Sequence, residues 1–457
     1  MSVSEAVTLI LKTFSVLSVL LFAGFILRAK VRLFQKLYLP ACVIGGAIGL
    51  ILGPNMFNVI PFSEDMMSVV SALPNVLFTP IVVALPVCGV ALDRSSLKEQ
   101  TPVLVMAALL CMIGALQFAI GLLVNSVFSA AGVETYRAFG LELAQGFIGG
   151  HGQTGATGSM LKAMDQPYWE IASGINSTTA TVGMIGGIIT GTTLINVSAK
   201  KGYTRVVKSA AEVSAEMRTG IYPKTAARPG MGTQTTVTNS IEALTLHLGL
   251  LLIATGGGYI VQKQMSRFGF PLLGALATWI YALLVMYVLW FFICRLKADY
   301  LFDEKVKNTV TGLLSDYLIT AAIMSIPVRV VMSYWLPMVT MCVIGLLLVP
   351  GSIYLISKKF VGEYWFEKCL GPLGCCCGVF VTGMLLIKMA DPDLRTPALN
   401  DYSLSYTLHN FFLIPFVPFI FAFTVSNGAA SAGLFSLFVA ALFFGLVFLF
   451  GRKRTAA

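Results

Sequence analysis

Charged residues are scarce in this sequence. Asp, Glu, Lys and Arg make up 11% of its 457 residues, and 57% of the residues are hydrophobic. A soluble domain has about 25% charged residues, so this composition excludes an ordinary soluble protein. Apolar runs of about 20 residues, the length that crosses a ~30 Å hydrocarbon core, recur along the whole chain. The alternating short segments of a membrane β-barrel are missing. The composition therefore predicts an all-α polytopic membrane protein.

Histidine and the common catalytic motifs are also scarce or missing. The three histidines are far apart in the sequence, and neither an H-E-x-x-H nor a G-x-S-x-G motif occurs. The nine cysteines lie mostly in apolar runs and form no pair of C-x2-C motifs at zinc spacing. The sequence thus predicts neither an enzyme, nor a disulfide framework, nor a cofactor or structural metal.

The apolar runs predict eleven membrane spans, and the basic residues predict their orientation. The spans are expected near 6–27, 38–53, 71–91, 101–128, 170–196, 241–262, 270–294, 309–331, 337–357, 402–424 and 430–450. Every second connection between the predicted spans belongs to one set, which begins with 28–38 and ends with the tail 451–457. This set holds 23 Lys and Arg, whereas the remaining connections hold 3. The positive-inside rule then places the N-terminus outside and the C-terminus in the cytoplasm. The net charge of +10 is explained by this topology, so we expect the lipid bilayer and not nucleic acid as the partner.

Two glycine-rich segments, 140–165 and 364–391, fit neither a span nor a loop and resemble each other. A shift of 225 residues superimposes identical residues at six positions, among them Glu142 on Glu367, Gly158 on Gly383 and Thr157 on Thr382. A second alignment of the two halves, with a shift of 241 residues, places Asn75 opposite Asp316 in the spans before these segments. The sequence therefore predicts two five-span repeats, and the odd number of spans inverts the second, as in secondary transporters. The predicted divisions are a first repeat 1–197, a cytoplasmic linker 198–240 with an interfacial helix near 203–218, a second repeat 241–429, and an additional span with a basic tail, 430–457.

Irregular backbone at membrane depth is tolerated only inside protein or beside a water-filled cavity. The arms of both glycine-rich segments are too short to cross the bilayer. We therefore expect two re-entrant hairpins, one entering from outside and one from the cytoplasm. Their tips, GGHGQTG at 149–155 and GCCCG at 374–378, are expected to be unwound and to meet near the membrane midplane.

Such tips suit a small carboxylate and a hard cation such as Na⁺. Glycine lets backbone groups approach a ligand closely, and a helix N-terminus favours an anion. The candidate substrate-binding residues are Gly149, Gly150, His151, Gly152, Gln153, Thr154, Gly374, Cys375, Cys376, Cys377, Gly378 and Thr382. The candidate cation-binding residues are Asn176, Ser177, Thr178, His409, Asn410 and Asp316.

Three of these candidates have a plainer alternative. His151 either bonds to the opposite hairpin or contacts substrate and links transport to protons, since histidine titrates near neutral pH. The three cysteines are favoured as small packing residues whose backbone amides do any binding. Asp316 either binds Na⁺ or lies at the membrane interface, and the interface is favoured.

Four motifs resemble those of the bacterial sodium/glutamate symporter family over roughly residues 1–425. They are Gly-Gly-His-Gly at 149–152, the spaced residues Gly371, Gly374, Gly378 and Thr382, the stretch LPACVIGGAIGLILG at 39–53, and GVALDRSSL at 89–97. The sequence departs from the family pattern at Gln153, at Pro372, at Cys375–Cys377, and in having the extra segment 430–457.

The resemblance implies Na⁺-coupled uptake of glutamate across a bacterial inner membrane by a homodimer with an elevator-like motion. Alternatives on the same scaffold are a transporter of another organic anion, such as a di- or tricarboxylate, coupled to H⁺ or Na⁺, and a passive channel.

Overall fold

The computed structural model describes residues 2–60, 62–88, 101–205, 219–222, 224, 228, 230–237, 239–267, 277–391 and 395–455. Within these residues the regular structure is entirely helical. The helices are α1 (Val3–Lys30), α2 (Arg32–Lys36), α3 (Ala41–Leu52), α4 (Glu64–Val82), α5 (Thr101–Ala130), α6 (Leu141–Phe147), α7 (Thr154–Ala163), α8 (Trp169–Lys200), α9 (Ala243–Arg267), α10 (Thr278–Arg295), α11 (Glu304–Met324), α12 (Val328–Ser333), α13 (Trp335–Phe360), α14 (Trp365–Gly378), α15 (Phe380–Ala390), α16 (Ala398–Asn427) and α17 (Ala429–Thr455). Two 3₁₀ helices lie at Gly150–Gln153 and Asp299–Leu301.

Nine helices of the described part of the chain are long and apolar enough to cross a membrane. They are α1, α4, α5, α8, α9, α10, α13, α16 and α17. This confirms the prediction of a polytopic helical membrane protein. The other two predicted spans correspond to α3, which has only 12 residues, and to α11, which is less apolar than the nine.

Three predicted spans have wrong boundaries, and local sequence explains each. The span predicted at 309–331 is two helices, because the chain leaves α11 at Ser325 and Pro327 then caps α12. The span predicted at 71–91 begins earlier, since the Ser63 hydroxyl accepts a hydrogen bond from the Met66 amide and caps α4, which ends at Val82. The span predicted at 38–53 begins only after Pro40 and ends before Gly53, so α3 is about 18 Å long.

Several predicted features lie outside the described residues. These are the whole motif at 89–97, the whole loop 93–100, most of the interfacial helix near 203–218, and the first part of the span predicted at 270–294.

The helices pack as two groups, and each group draws on both halves of the chain. The first group contains α1, α3 and α4 with α9, α10 and α11. The second group contains α5 to α8 with α13 to α17. The groups meet where α4 contacts α7 and where α11 contacts α8 and the first 3₁₀ helix. Helices that the predicted repeat places at equivalent positions, such as α5 and α13, lie in the same group.

Helix α5 lies at the centre of the second group, with most of its residues buried. The last helix, α17, packs along it in the antiparallel direction. Near the start of α17, a Cβ atom added at Gly433 would lie 3.0 Å from the Leu123 side chain, close to the end of α5. At the other end of α17, Gly451 packs against Phe360, the last residue of α13. The C-terminal ends of α5 and α13 therefore lie at opposite ends of α17.

Candidate functional site

The first glycine-rich segment folds as two short helices joined by a 3₁₀ turn. Helix α6 has seven residues and α7 has ten, which correspond to about 10 Å and 15 Å. Neither length spans a ~30 Å hydrocarbon core. Gly150 has a positive φ of 62°, a conformation that glycine adopts without steric cost, and this residue opens the 3₁₀ helix Gly150–Gln153.

The second glycine-rich segment breaks later than the sequence predicted. Helix α14 continues through Cys375, Cys376 and Cys377 to Gly378, so the prediction that 374–378 is unwound is wrong. The break is at Val379, which has a φ of 110° and separates α14 from α15. Glycines here serve close packing, because a Cβ added at Gly374 would lie 2.5 Å from the backbone of Gly383 on α15.

The tips of the two segments are in contact. A Cβ atom added at Gly150 would lie 2.4 Å from Cγ1 of Val379. Gly183 of α8 lies against both segments, since its added Cβ would be 2.5 Å from the Cys377 carbonyl oxygen and 2.7 Å from the Phe147 ring. Helix α8 thus supports the junction from one side, and glycine is required for this close approach.

A cavity of about 330 Å³ lies beside this junction, between the two helix groups. Its polar side chains are Gln145 of α6, Gln153, Ser315 of α11, and Tyr406 and Asn410 of α16. The backbone at the second tip, Val379–Val381, also lines it. None of the described residues lining the cavity is charged. The remaining lining residues are Phe78, Ile81, Val82, Leu85, Phe118, Ala144, Ile148, Gly149, Gly152, Trp279, Leu413, Ile414 and Val417.

The structure separates the predicted substrate-binding residues of the first tip. Gly149, Gly152 and Gln153 line the cavity. Gly150 makes the contact with the second tip. His151 is buried, and its Nε2 lies 2.9 Å from the Thr181 hydroxyl of α8.

Thr154, the first residue of α7, is directed toward α8 and not into the cavity. Its hydroxyl accepts a hydrogen bond from Nδ2 of Asn176 at 3.1 Å and lies 3.0 Å from the Ser177 hydroxyl. Thr154 therefore holds the N-terminus of α7 against α8, directly after the cavity-lining Gln153.

At the second tip, the predicted residues support the cavity wall without lining it. Cys375, Cys376 and Cys377 are fully buried. The Cys376 carbonyl accepts a 2.6 Å hydrogen bond from the Gln117 side chain of α5. Gly374 packs on Gly383, as described above, and Gly378 packs against the Thr382 side chain. Val379, Phe380 and Val381 line the cavity in their place.

The predicted cation-binding residues do not form one cluster. Asn176 and Ser177 converge on Thr154, whereas the Thr178 hydroxyl bonds to the Gly174 carbonyl of its own helix. Asn410 lines the large cavity.

The remaining two cation candidates, His409 and Asp316, lie elsewhere. His409 is fully buried, and neither ring nitrogen has a hydrogen-bond partner among the described residues. Asp316 of α11 lies close to the Cys42 thiol of α3, inside the first helix group.

Four polar residues at the junction were missed from the sequence: Gln117, Gln145, Ser315 and Tyr406. Gln117 carried a signal, because it is the one amide in the otherwise apolar stretch 102–124. Gln145 lies within the first glycine-rich segment and could have been proposed as a binding residue for the same reason as its neighbours. Ser315 and Tyr406 carried none, since similar side chains recur along their helices.

Comparison with protein families gives a match over most of the chain. Residues 7–368 match the model of a family described as "Sodium/glutamate symporter". The match ends in the first turn of α14, earlier than the likeness to about residue 425 that the motifs indicated. Comparison with curated proteins gives no match.

Proposed function

The chain belongs to the sodium/glutamate symporter family, and we propose that it carries glutamate or a similar small carboxylate into the cell together with Na⁺. Membership of this family makes the protein a multi-pass membrane transporter rather than an enzyme. The observation that carries the proposal is the cavity at the contact between the two hairpin tips, because it is enclosed by elements of both helix groups.

The cavity has the dimensions and polar groups for a small anion. Its volume of about 330 Å³ is at the lower end of the ~300–1,000 Å³ typical of ligand pockets. Gln145, Gln153 and Asn410 supply amide N–H donors. The first turn of α15, at Phe380–Val381, presents N–H groups and the positive end of the helix dipole. We propose that these groups bind the substrate carboxylates.

The lack of charge in the described cavity lining gives a physical reason for cation coupling. A carboxylate that enters an uncharged site loses its hydration without meeting a fixed positive charge. A cation bound nearby supplies that charge, and the interaction is stronger in a poorly solvated site than in water. Each ligand then raises the affinity for the other, which is the requirement for symport.

The packing of α17 supports an inverted arrangement of the two halves. The C-terminal ends of the corresponding helices α5 and α13 contact α17 at Gly433 and Gly451, which are 18 residues or about 27 Å apart along the helix. Together with the distribution of Lys and Arg, this supports hairpins that enter from opposite faces, an external N-terminus and a cytoplasmic C-terminus. We further propose that the second group moves against the first in an elevator-like cycle, within a homodimer in a bacterial inner membrane.

The proposal is tested by transport in proteoliposomes. With an inward Na⁺ gradient we expect accumulation of radiolabelled glutamate above its external concentration, and collapse of the accumulated label when a Na⁺ ionophore is added. Uptake that only equilibrates would indicate a passive channel. Uptake driven by a proton gradient but indifferent to Na⁺ would indicate H⁺ coupling. Na⁺-driven accumulation of labelled malate or citrate, with none of labelled glutamate, would assign a di- or tricarboxylate instead.

A further inference from the structure

We propose that the coupling cation binds in a second, smaller cavity behind the first hairpin, with oxygen atoms of Asn75, Thr154, Ser173 and Ala322, which line the cavity, as its ligands. This inference rests on the proposed function, because it names where the ion of that symport binds. The cavity of about 80 Å³ lies between α4, α7, α8 and the link from α11 to α12. Its other lining residues are Ser71, Pro74, Trp169, Glu170, Gly174, Ser325 and Pro327.

The side chains and backbone around this cavity favour a hard cation over an anion. The described lining contains three serines, a threonine, an asparagine and the exposed residue Glu170, but no Lys, Arg or His. Oxygen ligands of this kind are those that hard cations take. Oδ1 of Asn75 is buried and has no hydrogen-bond partner among the described residues. A buried carbonyl oxygen without a partner is costly, and a bound cation would satisfy it.

Hydrogen bonds hold Thr154 and its neighbours in fixed positions. Because the Asn176 amide donates to the Thr154 hydroxyl oxygen, the hydroxyl group keeps its position at the start of α7. The Ala322 carbonyl is approached by the hydroxyl groups of Ser325 at 3.2 Å and Ser177 at 3.5 Å. Polar groups of three helices are therefore already arranged around the space that the ion would occupy.

The position of this cavity explains how ion and substrate affect each other. Gln153 lines the large cavity and Thr154, the next residue, lines the small one. An ion bound to Thr154 would fix the first turn of α7 and, through it, Gln153. Ordering a shared segment in this way lowers the entropic cost of binding the second ligand.

The proposed ligands also come from both helix groups. Asn75 and Ala322 belong to the first group, whereas Thr154 and Ser173 belong to the second. The ion site is complete only in the arrangement seen here. A relative movement of the groups would remove two ligands and release the ion, which is what a transport cycle requires at its end.

At the corresponding place in the second half of the chain, an aromatic ring lies beside the glycine instead of small polar side chains. In the first half, a Cβ added at Gly158 would meet the Ser173 hydroxyl at 2.5 Å and Oδ1 of Asn75 at 3.0 Å. At the corresponding Gly383, it would meet the ring and hydroxyl of Tyr402. This tyrosine stacks on Phe380 with ring centroids 4.7 Å apart and fills the space.

The test measures Na⁺ binding directly, without transport. The midpoint of thermal unfolding of the purified full-length protein is followed as NaCl replaces choline chloride at constant ionic strength. We expect Na⁺ to raise the midpoint of the wild type. In N75L and S173A, the half-saturating Na⁺ concentration should rise at least about tenfold, since even residues that only support a metal ligand change affinity about 10–100-fold.

Two further variants separate a ligand role from a structural one. S126A is the matched control for S173A, because both hydroxyls donate to the carbonyl four residues earlier in an apolar helix. We expect S126A to keep the wild-type half-saturation. N75D retains an oxygen and adds a charge, so it should bind Na⁺ at least as tightly as the wild type, whereas a merely structural amide would not be rescued.

The outcomes distinguish the site from the function. Suppose that the wild type accumulates glutamate with Na⁺, but that N75L and S173A keep the wild-type half-saturating Na⁺ concentration. The ion then binds elsewhere, the small cavity holds only water, and this inference is wrong. If the wild type shows no Na⁺ dependence of either uptake or stability, the proposed function itself fails.

Discussion

The two hairpins have corresponding sequences, yet their arms pack differently. In the first, α6 and α7 pack mainly against α8, and the segment between them unwinds over Gly150–Gln153. In the second, α14 and α15 pack closely on each other, with Gly371 and Gly374 against Gly383. The first set of glycines thus frees backbone and leaves polar space, whereas the second set brings two helices together. A glycine-rich segment in a membrane protein can therefore have either purpose, and its packing partner decides which.

The bases of the hairpins differ as well. Glu142, at the start of the first, accepts hydrogen bonds from the Tyr136 hydroxyl at 2.6 Å and the Gly140 amide at 2.8 Å. At the start of the second, Lys368 forms a buried 2.7 Å ion pair with Asp401 of α16. The first base is thus held by hydrogen bonds to one carboxyl group, whereas the second has both a carboxyl group, Glu367, that accepts from the Arg205 amide and a pair of opposite charges.

We expect the largest loss of stability when the ion pair between Lys368 and Asp401 is broken. Lys368→Met leaves the largely buried Asp401 carboxylate without its partner, which costs about 3–5 kcal/mol of unfolding free energy when a buried pair is broken. The double variant K368M/D401L should recover much of this loss, because no unpaired charge remains. Glu142→Gln at the first base should lose only about 1 kcal/mol, since the amide keeps an acceptor oxygen. Thermal or chemical unfolding in detergent measures all three, and a K368M protein as stable as wild type would contradict the assignment.

The paired glycines test the difference in packing. In Gly383→Ala the new methyl group would meet the Gly371 carbonyl oxygen at 2.4 Å, and backbone cannot move aside. In Gly158→Ala its three nearest neighbours would be side-chain atoms, of Ser173, Asn75 and Trp169. We expect G383A to lose about 1–3 kcal/mol of stability, as overpacked variants do, and G158A to lose less. G158A should instead weaken the stabilisation by Na⁺. Equal losses of stability would mean that the two hairpins are packed alike.

The contact between the tips is tested by two neighbouring glycines of the first hairpin. Gly150→Ala combines a positive φ with a clash against Val379, so we expect a loss of about 1–2 kcal/mol from the backbone conformation alone. Gly152→Ala is the control for stability, because an added Cβ there has no neighbour within 4 Å. Uptake of glutamate by G150A should fall with its stability. A G150A protein as stable as G152A would show that the tips do not touch as described.

The smallest expected effect concerns the break in the second hairpin. Val379 has a φ of 110°, which is unfavourable for a β-branched residue. Val379→Ala removes the contact with Gly150 but keeps the backbone strain, whereas Val379→Gly removes both. We expect V379G to be more stable than V379A by about 1 kcal/mol. The opposite order would mean that the chain at this residue is not held in the left-handed region.

Much of the fold could be predicted from composition and charge. Apolar length predicted most of the long helices, because crossing a membrane imposes a minimum length on them. The glycine-rich segments predicted short helices at the right places. The break in the second one was not predictable, since Gly374 can equally unwind a helix or pack against Gly383, and only the tertiary structure distinguishes the two. For the same reason, three adjacent cysteines looked like a tip and are a buried helical turn.

The site was predictable only in part. Gly149, Gly152 and Gln153 were identified because their own segment is unusual, but Ser315 and Tyr406 come from helices with many similar side chains. The correspondence of Asn75 with Asp316 was visible in the sequence. The sequence could not show that Asn75 lies near Gly158 and Ser173, whereas Asp316 lies close to Cys42. Similar sequences in the two segments predict similar backbone structure. The side chains that surround each segment differ between the two halves, and they decide whether a cavity is left.

Because α17 packs along α5, the end of the chain is attached to the helices that carry both hairpins. A spectroscopic label at Leu442, which is exposed on α17, would therefore report the position of those helices. A second label at Val19, exposed on α1 of the other group, would serve as the partner for a distance measurement. Two labels at exposed positions would thus show whether the groups change their separation when substrate and Na⁺ are added.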